Sequence, residues 1–327
     1  MSSPAPLLAD PPVEPSFSVQ DWASPVQDSA SPDPDPAPAA PAPAALPGSP
    51  PPEAAPVPAA LPGPPPPEAA PAPAPAAPSG PTALVSDGHR LEWHLARPPG
   101  SVARGGVRSG LVIAHDLPVG EGAAPTAPVT FPELAERIAR DTGWLALSFS
   151  LRGAGRSAGS FSPGGWLRDV GAAVALLRPE VASVFVVGFG FGGTLALRAA
   201  ALDRSIGGVG VLGTPSDLMA WAADVEALGA VVAEAGYLRQ SPEDLAGWAD
   251  DLRDIDPLGS AAAIPPRPLL IIHGSDDREV PLVDGRALSD AAEDVAELRV
   301  IPTAGHRLRH DPRAVALLLG WLQRHAG

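Results

Sequence analysis

The stretch Phe185-Val186-Val187-Gly188-Phe189-Gly190-Phe191-Gly192-Gly193-Thr194-Leu195-Ala196-Leu197 is an apolar run that enters a cluster of glycines and leaves as a helix-forming segment. A strand, a turn too tight for side chains and a helix following at once make the shape of a nucleophile elbow. The pattern there is G-x-S-x-G, and its middle residue is held in strained backbone geometry. Here the middle residue is Gly190. Glycine takes such angles freely, but it brings no hydroxyl to attack a carbonyl. Gly188, Gly190 and Gly193 also satisfy G-x-G-x-x-G between a strand and a helix, a dinucleotide fingerprint. The surrounding chain must decide between these readings.

Of the 45 prolines in the 327 residues, 28 precede residue 82, so the length available for a fold is that of one α/β domain with an insertion. Residues 1–81 hold eight acidic groups and no basic one, in Pro-Ala runs that bury too little apolar surface to offset chain entropy, and are expected to be a disordered tail. Within it Pro43–Pro56 returns at Pro58–Pro71 with one change, Ser49 against Pro64. This is a duplicated polyproline-type spacer whose partner, if any, is unknown.

The chain has no cysteine, which removes disulfides, thiolate metal sites and a cysteine nucleophile. All 22 basic residues are arginine, which removes Schiff-base chemistry. A formal charge of −15 argues against nucleic acid as a partner. The start Met1-Ser2-Ser3-Pro4-Ala5-Pro6 lacks a basic n-region and an apolar h-region, and no run is apolar enough to span a bilayer. The expectation is a soluble, cytoplasmic protein with no membrane partner.

Residues 82–327 alternate strand and helix. Ala83–Ser86 and His89–Leu95 flank Asp87-Gly88 as a hairpin. Gly110–His115 and Gly143–Phe149 read as strands buried on both faces. Thr130 and Glu133 form a capping box for a helix through Arg140, and Ser162-Pro163 starts a helix with Trp166, Val170, Val174 and Leu177 on one face. After the elbow come strands at Val209–Leu212, Pro268–Gly274 and Glu297–Ile301, then a helix from Pro312 to about Arg324. The expected fold is α/β, a doubly wound, mostly parallel sheet. Between about residues 214 and 262 the alternation stops. That segment, with Met219, Trp221, Leu228, Tyr237, Leu245 and Trp248, reads as an inserted helical cap of two or three helices. Its ten acidic residues against Arg239 and Arg253 give it a net −8.

Polar residues recur beyond the carboxyl ends of the strands, where such sheets bind ligands. They are His115-Asp116, Arg152-Gly153-Ala154-Gly155-Arg156-Ser157, the elbow, His273-Gly274-Ser275-Asp276-Asp277-Arg278-Glu279-Val280-Pro281 and Gly305-His306. In this order, over residues 83–325, the motifs resemble those of the α/β-hydrolase fold superfamily, and in particular the serine-aminopeptidase-like and dienelactone-hydrolase-like bacterial hydrolases. A dinucleotide turn belongs on the first strand of its domain, whereas this one follows several, so nucleotide binding stays a remote alternative.

The resemblance implies that Asp277 is the triad acid and His306 the base, with Asp276 competing as the acid, and that the backbone N–H groups of Leu117 and Phe191 form an oxyanion hole. It implies a hydrolase of small esters or amides that needs neither cofactor nor metal. Two departures stand against that. Gly190 occupies the nucleophile position, and Asp116 follows His115 where the superfamily has glycine, placing a carboxylate at the hole. Ser216, Thr214, Ser148 and Ser150 are the hydroxyls at other strand ends, and Ser216, His115 and Asp116 are expected to line the pocket. His115 reads as a packing residue and Arg152 as a pin for its loop through backbone hydrogen bonds. Three functions follow: a hydrolase using water activated by His306 or another nucleophile; a pseudoenzyme binding a small molecule or a protein; and nucleotide binding. The acidic cap favours neutral or cationic acyl compounds over anions.

Overall fold

In the computed structural model, residues 83–100, 109–117, 127–238 and 245–326 are described; the tail and its duplicated spacer lie outside them. β1 (Leu84–Ser86) and β2 (His89–Leu91) form a separate antiparallel ribbon. Its turn has φ of 47° at Asp87 and 79° at Gly88, the left-handed pair that a two-residue hairpin requires. The expected second arm runs on into β3 (Trp93–Ala96), which breaks away to join the main sheet.

That sheet has seven strands in the order β3-β5-β4-β6-β7-β8-β9. The remaining strands are β4 (Ser109–Ala114), β5 (Leu145–Phe149), β6 (Ser183–Phe189), β7 (Ile206–Leu212), β8 (Leu269–Gly274) and β9 (Ala296–Ile301). All pairs are parallel except β3 with β5. Successive side chains of β4 enter opposite core layers: Leu111 and Ile113 one, Val112 and Ala114 the other. A strand covered on both faces therefore reads as continuously apolar.

Helices α1 (Ala127–Thr142) and α9 (Pro312–Arg324) cover one face, burying Ile138, Leu318 and Trp321 with Trp144. Helices α2 (Pro163–Leu177), α3 (Phe191–Leu202) and α8 (Leu282–Ala291) cover the other. Ser162 caps α2, its Oγ accepting from the Gly165 N–H at 3.2 Å with Pro163 in the first turn, and the four expected apolar residues are buried. The expected start of α1 is displaced: the helix begins at Ala127, which places Thr130 inside it.

The insertion carries α4 (Met219–Ala223), α5 (Val225–Glu234), α6 (Leu245–Ile255) and α7 (Pro257–Ala262). Trp221, Leu228, Tyr237 and Trp248 anchor it, whereas Met219 is half exposed. The last piece, α7, packs against α3 and α8 and so belongs to the main helical layer. Among the described residues no helix is long and apolar enough to cross a membrane.

Candidate functional site

The turn between β6 and α3 places Gly190 at φ 49°, ψ −123°, the elbow geometry anticipated from the glycines. A Cβ on Gly188 would strike the Gly192 carbonyl and one on Gly192 the His115 carbonyl, so both positions must stay bare for helix and strands to meet. The Gly190 N–H donates to the Leu212 carbonyl at 2.9 Å, which ties the turn to β7.

Beyond the ends of β4, β8 and β9 three charged side chains converge on this turn. His306 Nδ1 lies 2.9 Å from Asp277 Oδ2, and His306 Nε2 lies 3.0 Å from Asp116 Oδ2. Asp277 is fully buried, its Oδ1 accepting the Glu279 and Val280 N–H groups at 3.0 and 2.9 Å. The neighbouring Asp276 is turned away and bonds the Ser275 hydroxyl. Asp116 Oδ1 accepts from the backbone N–H of Leu117 at 2.7 Å and of Phe191 at 2.8 Å. The carboxylate thus stands between the two donors expected to cradle an oxyanion, directly over the face of Gly190, where any Cβ would fall inside it.

With a carboxylate oxygen on each ring nitrogen, His306 satisfies both only when doubly protonated. Burial disfavours that charge, but the hydrogen bonds and charges of Asp116 and Asp277 outweigh it and hold the pKa well above the usual histidine value. His115 behaves in the opposite way. Leu151 N–H donates to its Nε2 at 3.0 Å, its Nδ1–H donates to the Asp116 carbonyl at 2.6 Å, and its ring meets Trp166 edge-on. Complete burial drives its pKa down to about 4, so it is a neutral packing residue that orients the Asp116 backbone.

The two histidines give the stability a maximum in pH. Below about 6.5 the unfolded chain protonates at His115 and the folded chain does not, so stability falls towards pH 4, by about 3 kcal/mol from this residue. Above about 6.5 the folded chain keeps the His306 proton that the unfolded chain loses, so stability falls again as pH rises through the raised value. No cysteine or lysine titrates in that upper range. Thermal melts should peak near pH 6.5, and His306→Gln should flatten the alkaline limb while leaving the acid limb; an unchanged alkaline limb would refute the assignment.

Other expectations resolve differently. The Ser216 hydroxyl donates to Asp284 Oδ1 at 2.7 Å and is not a partner of His306. Ser148 and Ser150 line a separate cavity of about 200 Å³ with Glu92, Trp93, His94 and Phe131, and so are not placed to act with His306. Arg152 does pin its loop, but through side chains rather than backbone. It bonds Asp169, Ser86 and Asp87 at 2.6–3.1 Å, while its own carbonyl accepts from the Trp166 indole.

Three residues near the site were given no role there in the sequence reading. Glu279 reaches 4.0 Å from His306 Nε2, with its pKa raised chiefly by burial. The chain's single tyrosine, Tyr237, buries a hydroxyl with no hydrogen-bond partner among the described residues; burial and the charge of Asp116 oppose its ionisation. Arg309, whose guanidinium lies 5.6 Å over the Phe131 ring, also feels Asp116. Glu279 and Arg309 lie within three residues of Asp277 and His306, which is the signal that could have found them; Tyr237 comes from the insertion and had none.

No known sequence family and no curated protein matches this chain. Solved structures do. Est1E from Butyrivibrio proteoclasticus, solved with ferulic acid bound, superposes with a TM-score of 0.54 at 20% identity over 74% of this chain and 96% of its own. The esterase domain of a Rhodothermus marinus protein gives 0.54 at 19% identity, over 75% and 95%. Mouse alpha/beta hydrolase domain-containing protein 10 gives 0.51 at 16% identity, over 72% and 94%. At such identities the likeness is one of fold, and the chain has the α/β-hydrolase fold.

Proposed function

We propose that this α/β-hydrolase-fold protein binds a small neutral or cationic acyl compound beneath its insertion and does not hydrolyse it by serine-type chemistry. The observation that carries this reading is the Asp116 carboxylate, held by the Leu117 and Phe191 N–H groups and by His306 over a nucleophile position that is glycine. A substrate carbonyl oxygen needs those two donors as charge develops on it, and here a fixed negative charge holds them. Asp277 and His306, the acid and base that the resemblance implies, then serve as the frame that anchors Asp116.

Hydrolysis by water with His306 as general base is the second reading. It requires a neutral ring, whereas His306 carries both protons between two carboxylates. The preference for neutral or cationic ligands rests on the same charges, Asp116, Asp277 and the adjacent Glu279, together with the acidic insertion. That Est1E binds ferulic acid supports a small acyl ligand by analogy of fold alone.

The test is a panel of short-chain p-nitrophenyl esters and aminoacyl amides, followed by turnover, burst kinetics and quenching of tryptophan fluorescence. The wild type is expected to quench saturably with neutral amides, and to turn over no faster than His306→Ala, without a burst. Turnover that His306→Ala abolishes would replace this reading with the histidine-water hydrolase, and tight binding of a dicarboxylate would refute the charge preference.

A further inference from the structure

The sheet face beneath α1 turns polar at one corner. Ala96, Leu111, Ile113 and Ala146 make it apolar elsewhere, but alternation carries the same face on to His94 of β3 and Ser148 of β5, which are direct cross-strand partners. One pair further, the Ser150 N–H donates to the Glu92 carbonyl at 2.8 Å and sets those two residues side by side. Glu92, His94, Ser148 and Ser150 thus form a two-by-two square, with corners roughly 5 Å apart across the strands and roughly 7 Å apart along them. They line the cavity of about 200 Å³, which Phe131 and Pro132 wall on the helix side.

Ser148 is 1% exposed, and its hydroxyl has no hydrogen-bond partner among the described residues. A buried hydroxyl left unpaired costs stability, and one that lines a cavity is paired by whatever enters. The charged groups around the cavity answer one another: the Glu92 carboxylate accepts from the Arg156 N–H at 3.0 Å and pairs with its guanidinium at 2.6 Å, and His94 Nε2 lies 2.8 Å from Glu136. An ion therefore finds no uncompensated charge there. Glu92 and His94 stay partly exposed, so solvent and solutes reach the square. Volume bounds the occupant, since a cavity of about 150 Å³ holds one benzene ring. We propose that this cavity is a binding site for a neutral cyclic polyol of monosaccharide size.

Hydroxyls set around a ring meet several corners of the square at once. Each both donates and accepts, as the hydroxyls of Ser148 and Ser150 do, whereas the Glu92 carboxylate only accepts. The C–H face of the ring packs against Phe131, which is itself fixed by Phe189 edge-on at 5.1 Å and by the Arg309 guanidinium over its face. A flat aromatic ligand would strip water from the serine hydroxyls and Glu92 without replacing those hydrogen bonds. An anion would meet the carboxylates of Glu92 and Glu136. The occupant uses neither Asp116 nor His306, so the inference stands apart from the acyl-binding reading.

The experiment is calorimetric titration of the full-length protein with glucose, galactose, xylose and myo-inositol, with phenol and glucuronate as the aromatic and anionic comparisons. At least one polyol is expected to bind saturably and more tightly than either comparison, and Ser148→Ala to weaken it by roughly 3–10-fold through the loss of one hydrogen bond. That variant deletes an unpaired buried group, so its melt should match or exceed that of the wild type. Hydrogen exchange of the wild type locates the ligand independently of any variant: protection is expected in β3, the end of β5 and the Phe131 turn of α1. Binding of no polyol up to about 50 mM, a limit set by the weakest affinity a single site of this size would give, would overturn the proposal. So would tighter binding of phenol or glucuronate, equal binding by Ser148→Ala, or protection confined to the insertion.

Discussion

The double variant Asp116→Gly, Gly190→Ser is expected to hydrolyse p-nitrophenyl acetate at least ~10²-fold faster than the wild type, with a burst, while each single change stays silent. Gly190→Ser alone puts a Cβ inside the Asp116 carboxylate. The carboxylate would have to swing off two backbone donors and His306, and a non-glycine residue at φ 49° adds about 1–3 kcal/mol of strain. That variant should lose stability and gain nothing. Asp116→Gly alone empties the hole and leaves His306 paired with Asp277 only, which returns its pKa towards the ordinary range, but supplies no nucleophile. Together the changes place a hydroxyl on the elbow beside a histidine freed to accept its proton, under two open N–H donors. One oxyanion donor alone is worth about 10²–10³ in kcat, which sets the lower bound on the gain. Adding His306→Ala should abolish it. A double variant that folds, as judged by its melt, yet shows no burst would mean that Asp116 does not block the hole.

Removal of the Asp169 carboxylate is expected to be the most damaging single change away from the site. Asp169 is fully buried and takes the Arg152 guanidinium through both oxygens, and it also accepts the Arg152 backbone N–H at 2.8 Å. Arg152 reaches on to Ser86 and Asp87, so one guanidinium joins the β1–β2 ribbon, α2 and the loop after β5. Asp169→Ala leaves that cation buried with a single partly exposed carboxylate, Asp87. Breaking one side of a buried pair costs about 3–5 kcal/mol, more than the pair itself contributes over a neutral replacement. Denaturant unfolding should therefore show a loss of that size for Asp169→Ala and a smaller one for Arg152→Met with Asp169→Leu. Equal losses would mean that the ion pair, rather than the orphaned charge, is what counts.

The contrast between these sites shows what could be read in advance. The elbow was legible because a Cβ at Gly188 or Gly192 would strike backbone and Gly190 takes φ 49° without strain, so glycines at these spacings after an apolar run mark a strand, a turn and a helix. The Asp87-Gly88 hairpin and the Ser162-Pro163 helix start were legible for the same reason, since local backbone chemistry dictates them. The alternation of buried strands and amphipathic helices was enough for a doubly wound sheet. Where local chemistry was ambiguous the reading slipped: Thr130 matched a cap but sits inside α1.

The fold and the glycine turn after β6 could be read from the amino-acid order alone, because both are written in short-range patterns of apolar, glycine and capping residues. That order also placed a carboxylate at Asp116 without determining where its oxygens would go. That was decided by tertiary structure alone. The pairing of β4 with β6, across the intervening α1, β5 and α2, brings Asp116 to the Phe191 N–H 75 positions away, and β9 brings His306 to it across 190. Periodicity specifies which residues face a core but not which strand ends become neighbours. A carboxylate that reads as an obstacle in the sequence therefore becomes, in the folded chain, a group held at both oxygens in the centre of the site.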